Sequence, residues 1–399
     1  MSAPSRPLRV AFVHPTLGLG GAERLMVNAA LALQARGHRV SMHVAAYDSR
    51  RSFAAAGDGR LAVHVHAGWL PFEIGGRFRA PLSILRTAAA GWAALGGGEP
   101  LDAVICDVVA EVVPLLRRRT AAPILFYGHF PDALLAPPAR GWYRWYRAPI
   151  DRWEQVGLDS ADRLLVNSAF TAEVFRHHYP RLRRAPEILY PPVDQAGMQP
   201  GGAPPSACRT LLVVSRLVAA KNLPLAIEAM AALRRLVTPA TFASLRLVIA
   251  GGYDPQLQEC ADTVAALTAR AAALGLGEQV EILRSPDDAA LQALLARARV
   301  LLYTPVREHF GLVPIEAMAA GRPVIAADSG GPLETVVDGT TGFLRPPTAD
   351  AFAGALRLLV DDPAAADRLG AAGRERVAAH FSLEAFGARL EEIVRSTRR

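Results

Sequence analysis

Short apolar runs of strand length alternate with stretches of helical periodicity along nearly all of this chain, and few folds satisfy that pattern. Parallel strands buried on both faces and joined by crossover helices read this way, so the alternation predicts an α/β fold built on doubly wound parallel sheets. Strands are expected at 9–15, 39–46, 61–67, 102–107, 123–127 and 163–167, and again at 210–215, 245–250, 280–283, 300–304 and 323–327. Between the two sets, residues 195–208 read Q-A-G-M-Q-P-G-G-A-P-P-S-A-C, where Pro, Gly and small side chains leave little to pack. A chain of 399 residues exceeds the roughly 100–200 that one core usually serves. The expectation is therefore a first domain over 1–194, a linker over 195–208 and a second domain over 209–399, with the last helix free to pack back on the first domain. Such sheets take ligands at the carboxyl ends of their strands, which predicts a binding cleft between the domains.

With 51% hydrophobic and 20% charged residues the chain is too apolar for intrinsic disorder. Lys and Arg total 44 against 37 Asp and Glu, a net charge of +7, which suits an anionic partner without selecting one. Among those 44 cations, Lys221 is the sole lysine. A site that needs a compact ammonium in place of a planar guanidinium would retain it, and chance retention is the competing explanation. Cys106, Cys208 and Cys260 are odd in number and form no C-x-x-C pair, so neither a disulfide framework nor a zinc site is readable and a reducing compartment is expected. The only apolar run ahead of His14 is 10–13, and no stretch of 18 uncharged apolar residues occurs. That places the chain, as an expectation, on the cytosolic side, soluble or peripheral to a membrane.

The first strand leads into H-P-T-L-G-L-G-G-A-E, which puts Gly18, Gly20 and Gly21 at the start of a helix expected from Ala22. Glycines admit an anion to the backbone N–H groups, and the helix dipole favours negative charge there. Glu23 stands where a dinucleotide fingerprint carries glycine, so the loop reads either as a phosphate cradle or as a tight strand-to-helix turn. In the second half, S-R-L-V-A-A-K-N sets Arg216 and Lys221 on the loop leaving a strand tip, placed to grip a diphosphate. Further on, E-H-F-G-L-V-P-I-E-A-M holds Glu308 and Glu316 eight residues apart. Eight is close to two helical turns, so both carboxylates are expected on one side, where each can accept two hydroxyl hydrogen bonds from a sugar or ribose. The alternative is an exposed helix with two solvated acids.

These residues resemble the retaining GT-B glycosyltransferases of family 4. Glu308-x7-Glu316, the Arg216 and Lys221 pair, the Gly-Gly-Ala-Glu loop and Gly251-Gly252 after a strand follow that family's pattern over nearly the whole chain. F-Y-G-H-F-P-D at 126–132, Y-R-A-P-I-D at 146–151, V-N-S-A-F-T-A at 166–172, A-G-G-Y-D at 250–254, L-Y-T-P at 302–305 and S-G-G-P-L-E at 329–334 narrow the resemblance. They are similar to the mannosyltransferases that extend lipid-linked oligosaccharides by α-1,3 and then α-1,6 transfer. The resemblance implies two Rossmann-like domains facing each other across a cleft. It implies GDP-mannose as donor, a dolichyl- or polyprenyl-diphosphate oligosaccharide as acceptor, and work at the cytosolic face of a membrane, the endoplasmic reticulum in a eukaryote. By residue, it implies that Arg216 and Lys221 hold the donor diphosphate, with Gly20, Gly21, Gly251 and Gly311 lining the donor site. Glu316 would hold the ribose and Glu308 the hexose, with His129 near the reacting carbon, while Asn167 and Ser168 match a motif at the tip of a strand in the first domain. No D-x-D occurs, so no metal and no cofactor is implied.

Residues 140–153 carry three of the five tryptophans. On a helical wheel Trp142, Trp145, Tyr146, Ile150 and Trp153 lie opposite Arg140, Arg144 and Arg147. An interfacial membrane helix displays that division, and so does a helix whose aromatics fill a core; Pro149 is expected to interrupt either. The region 81–95, strongly hydrophobic in larger members of the family, here contains Arg86 and many alanines. Four other readings compete: a family 4 enzyme acting on a different lipid acceptor, a sugar-nucleotide epimerase, a nucleotide-binding oxidoreductase sharing the first glycine loop, and a basic nucleic-acid-binding protein. The epimerase does not account for the paired glutamates with Arg216 and Lys221, and the arginines are too scattered for a nucleic-acid module, so no nucleic-acid partner is expected.

Overall fold

The computed structural model describes residues 6–18, 20–47, 54–74, 78–136, 141–193 and 209–398. The chain divides into two compact units, Met1–Pro192 with Leu383–Arg399, and Val193–Ser382. The expected linker at 195–208 lies outside the described residues.

In the first unit seven strands form one parallel sheet: β1 (Arg9–Leu17), β2 (Arg39–Tyr47), β3 (Ala62–Val65), β4 (Ala103–Asp107), β5 (Ile124–Gly128), β6 (Arg163–Val166) and β7 (Glu187–Ile188). Their order is β3-β2-β1-β4-β5-β6-β7, so the winding reverses between β1 and β4. The two-residue period of the strands feeds two cores at once. Val10, Phe12, Ile105 and Leu125 face one of them, whereas Ala11, Val13, Cys106 and Phe126 face the other. The first core is closed by the helix Gly21–Ala35 and by the helix Leu383–Thr397. On the latter, Phe386, Leu390, Ile393 and Val394 recur at i, i+4, i+7 and i+8 and are all buried. Each such side chain contributes about 1.5–3 kcal/mol on burial. Glu391 on the same helix accepts from Arg36 and Arg395, both at 2.7 Å. Burial opposes its ionisation, yet these arginines hold its carboxyl down at about 2.

The second unit carries six parallel strands: β8 (Thr210–Val214), β9 (Arg246–Gly251), β10 (Val280–Arg284), β11 (Val300–Tyr303), β12 (Val324–Ala327) and β13 (Gly342–Arg345). Their order is β10-β9-β8-β11-β12-β13, with the reversal between β8 and β11. All eleven expected strands are present, their ends shifted by two residues or fewer; β7 and β13 were not expected.

One helix departs from expectation. Trp142–Ser160 runs through Pro149 without a break. The ring removes a single N–H, and Pro149 lies on the exposed side of the helix, so no packed neighbour is lost with it.

Candidate functional site

Open α/β sheets bind ligands outside the carboxyl ends of the strands where the winding reverses, because the helices on either side diverge there and leave a crevice. Both units concentrate their polar side chains at that place.

In the first unit His14 lies near the end of β1, Asp107 is the last residue of β4, and His129 follows β5 by one residue. His14 Nδ1 lies 2.6 Å from Asp107 Oδ1, and His129 Nε2 lies 2.9 Å from Asp107 Oδ2. Asp107 is fully buried. Burial alone would raise its carboxyl, but the two imidazoles bring it below its ordinary value. For His14 burial favours the neutral ring, and the Asp107 charge overcomes that to raise it. His129 alone of the three is partly open to solvent. Asn167 Nδ2 reaches the His129 carbonyl at 3.5 Å, and Ser168 caps the helix Ala169–His178 by accepting from the Thr171 N–H. Sequence reasoning found His129 and missed the two residues behind it. Their signal was a histidine inside an apolar run and an aspartate closing another.

The glycine loop opens the helix Gly21–Ala35. The helix begins at Gly21 with Gly20 as its cap, and the Glu23 carboxylate folds back over that end. A Cβ on Gly20 would stand 2.2 Å from Glu23 Oε2. The helix N-terminus at Gly20 and Gly21 therefore already carries an anion belonging to the chain itself.

In the second unit Arg216 is exposed just past β8, and Lys221 closes a short helical turn, Ala219–Lys221. Thr304 Oγ1 donates to the Lys221 carbonyl at 2.8 Å, which ties this turn to the end of β11. Lys221 Nζ forms an ion pair with Glu308 Oε2, both side chains about four-fifths covered. The buried Tyr303 hydroxyl also donates to Glu308, and burial together with that carboxylate raises the phenol well above its usual value. Burial disfavours the Glu308 charge, but Lys221 keeps the carboxyl below its ordinary value.

The helical argument for Glu308 and Glu316 does not hold. Glu308 lies in the loop after β11, Gly311 at φ 87° stops any helix from reaching back to it, and Glu316 is the fifth residue of the helix Leu312–Ala319. The two carboxylates are nonetheless neighbours of one group, since both act on the Tyr303 hydroxyl. Glycines close the site from two sides. A Cβ at Gly251 would fall 1.5 Å from the Ser215 carbonyl oxygen, and one at Gly331 would fall 2.2 Å from Phe310 Cα. Gly331 N–H also donates to the Glu308 carbonyl at 2.8 Å, so the loop after β12 fixes the loop bearing Glu308.

The 142–160 helix corrects the wheel drawn from sequence. Arg147 is buried, donating to Asp132 at 2.8 Å and Asp151 at 2.6 Å, and it shares its face with buried Ile150. Trp145 is 75% exposed beside Arg144, whose guanidinium carbon lies 5.6 Å from the indole centre. Arg147 thus anchors the helix to the protein, and the exposed side is formed by Arg144, Trp145 and Trp153. Arg140 and the Trp142 side chain lie outside the described residues.

Known proteins bear out the architecture. Residues 19–196 match the glycosyltransferase family 4 model and 202–376 the model for glycosyl transferases group 1. The α-1,3/1,6-mannosyltransferase ALG2 of Rhizomucor pusillus is 38% identical, across 98% of this chain and 92% of its own length. Human ALG2 is 39% identical, across 96% of this chain and 95% of its own. The chain belongs to the ALG2 family of glycosyltransferases. A sucrose-phosphate synthase from Thermosynechococcus elongatus, 24% identical, superposes with a TM-score of 0.75 over 98% of this chain and 99% of that one, which gives the GT-B fold. The likeness to both ALG2 proteins spans both units. Among the described residues no helix is long and apolar enough to cross a membrane.

Proposed function

We propose that this chain transfers mannose from GDP-mannose to a lipid-diphosphate-linked oligosaccharide, forming an α-1,3 and then an α-1,6 linkage, with retention at the anomeric carbon. The observation that carries this reading is the likeness to named α-1,3/1,6-mannosyltransferases along almost the full length of the chain. The side chains suit the chemistry. Cleaving the sugar–phosphate bond builds charge on the leaving diphosphate, and Lys221 and Arg216 supply preorganised cations at a strand tip. Glu308, kept ionised by Lys221, accepts hydrogen bonds from hydroxyls of the hexose, and the Tyr303 hydroxyl orients its carboxylate. Glu316 holds the ribose. On the acceptor side, Asp107 engages His129 through Nε2, which leaves Nδ1 as the nitrogen that meets the sugar, and His14 fixes the far side of the same carboxylate.

Work at the cytosolic face of a membrane belongs to the same reading, with Trp145, Trp153 and Arg144 on the exposed side of their helix and a dolichyl or polyprenyl carrier as the lipid. The test is incubation with GDP-mannose and the mannosyl-chitobiosyl-diphosphate lipid, followed by mass and linkage analysis. Two added mannoses, one α-1,3 and one α-1,6, are expected; GDP-glucose or UDP-sugars serving as well, or no transfer, would overturn it.

A further inference from the structure

A cavity of about 400 Å³ opens in the first unit beside the end of β1, lined by Pro15, Thr16, Phe72, Glu73, Arg79, Ser83 and Arg86. Pro15 follows His14 directly, so the cavity begins one residue beyond the histidine–aspartate cluster. Arg86 is unusual in it. Only 3% of this residue is exposed, its Nη1 donates to the Leu70 carbonyl at 2.8 Å, and its guanidinium carbon stacks 3.8 Å from the centre of the Phe72 ring. Its Nη2 is buried with no hydrogen-bond partner among the described residues. A buried cation with an unmet donor is costly, and proteins keep such groups where a ligand completes them.

The remaining lining says which ligand. Arg79 adds a second cation, held in an exposed ion pair with Glu73, and Thr16 and Ser83 add hydroxyls. Two guanidiniums and two hydroxyls in this volume match a diphosphate better than a single carboxylate. Phe72 of the lining is exposed, as are Trp69, Ile74 and Phe78 on the same stretch of chain, and the Phe78 ring packs edge-on to Tyr146 at 6.3 Å. Polar anion chemistry within an exposed apolar surround is the profile of an amphiphile whose phosphates sit inside and whose hydrocarbon runs outward.

We propose that Arg86, with Arg79, binds the diphosphate of the lipid-linked acceptor, and that the apolar side chains of Trp69, Phe72, Ile74 and Phe78 receive the first part of its lipid. The inference rests on the acceptor class proposed above and adds the residues that select it. Glu73 competes with the acceptor for Arg79 while the site is open.

Kinetics of the full chain with two acceptors test this: the diphosphate-linked lipid oligosaccharide, and the same oligosaccharide as a simple alkyl glycoside. For Arg86→Met, KM for the diphosphate acceptor should rise about tenfold or more, as loss of a charge-assisted hydrogen bond implies, with no matching rise for the alkyl glycoside and no change in GDP binding. Glu73→Gln, on the exposed rim, should lower KM for the diphosphate acceptor alone. Thermal midpoints separate a packing role, because the Leu70 hydrogen bond and Phe72 stacking lost with the guanidinium lower Tm without distinguishing the two acceptors. Equal losses on both acceptors, a fall in Tm with activity lost on both, or an unmoved KM in both variants would overturn the proposal. So would loss of Arg86→Met from anionic vesicles that contain no acceptor, since the arginine would then serve the bilayer. Failure of wild-type protein to use either acceptor would instead overturn the mannosyltransfer reading.

Discussion

Asp107 grips His129 through Nε2 at 2.9 Å while its other oxygen is held by His14, so one buried carboxylate fixes a ring that solvent can reach. Replacing it by Asn keeps the size and removes the charge. Asp107→Asn should cut kcat at least tenfold with little effect on donor KM, as expected of a group that positions an acceptor-side imidazole. The pH dependence of stability gives a second readout. Asp107 is lowered from its ordinary 3.8, so its contribution is present above that value and lost in acid. His14 is raised from its ordinary 6.5, so its contribution is complete below that value and lost as pH rises through the higher folded value. The stability gap between wild type and variant, followed by chemical denaturation, should therefore peak between about pH 4 and pH 6.5. A gap that is flat with pH would contradict the pairing.

Lys221 and Glu308 should behave as a unit. Lys221→Ala and Glu308→Gln are each expected to abolish most turnover, and the double variant should be little worse than either, a coupling that a double-mutant cycle on kcat reads directly. Lys221→Arg should also be impaired, because a planar fork cannot take the ammonium's place against Glu308. Additive losses would mean that the two groups act apart.

Glu316 and Glu308 should separate kinetically. If the ribose is held equally in ground and transition states, Glu316→Ala raises the donor KM and spares kcat, whereas Glu308→Ala lowers kcat itself. Steady-state rates over a range of GDP-mannose concentrations distinguish the two, and the reverse pattern would exchange their roles.

Burial, then the nearby Glu154 and Asp132, pushes the Glu111 carboxyl up to about 7. A raised acid binds its proton in the folded state first, so stability is highest below its ordinary 4.5 and falls as pH rises towards 7. The loss on that interval is about 2–3 kcal/mol. Glu111→Gln should flatten this part of the urea-denaturation profile and be more stable than wild type at pH 8; a parallel profile would rule the carboxyl out as its source.

Trp145 projects into solvent, so Trp145→Ser should leave the melting midpoint within a degree or two while weakening binding to anionic vesicles. Combining it with Arg144→Gln should remove most of the salt-sensitive part of that binding. Vesicle flotation that is unchanged in the double variant would remove this helix from the membrane reading.

The apolar runs made eleven of the thirteen strands readable, because a strand covered on both faces leaves its mark in every residue. Glu187–Ile188 is too short to leave such a mark, and Gly342–Arg345 begins with glycine and ends with arginine. Lys221 stood out as the sole lysine, and Glu308 and His129 through the family motifs that carry them. Asp107 and His14 were not, since a residue that works by touching another across a sheet carries no spacing of its own. The wheel misassigned Arg147 because its partners, Asp132 and Asp151, lie partly outside the helical stretch that was read. Arg86 was noted only as a flaw in an apolar segment, and its unmet donor is a property of three dimensions.

The return of the helix Leu383–Thr397 to the first unit makes the second unit a guest inserted into its host. A ribosome releases residues 193–382 before it releases Phe386, Leu390, Ile393 and Val394, so the unit begun first is the last to close its core. Until then the patch that these four side chains cover on the helix Gly21–Ala35 stays open to chaperones. A nonsense or frameshift lesion near the end of the chain would thus cripple the opposite end of the sequence, leaving an intact second unit attached to a half-finished first unit.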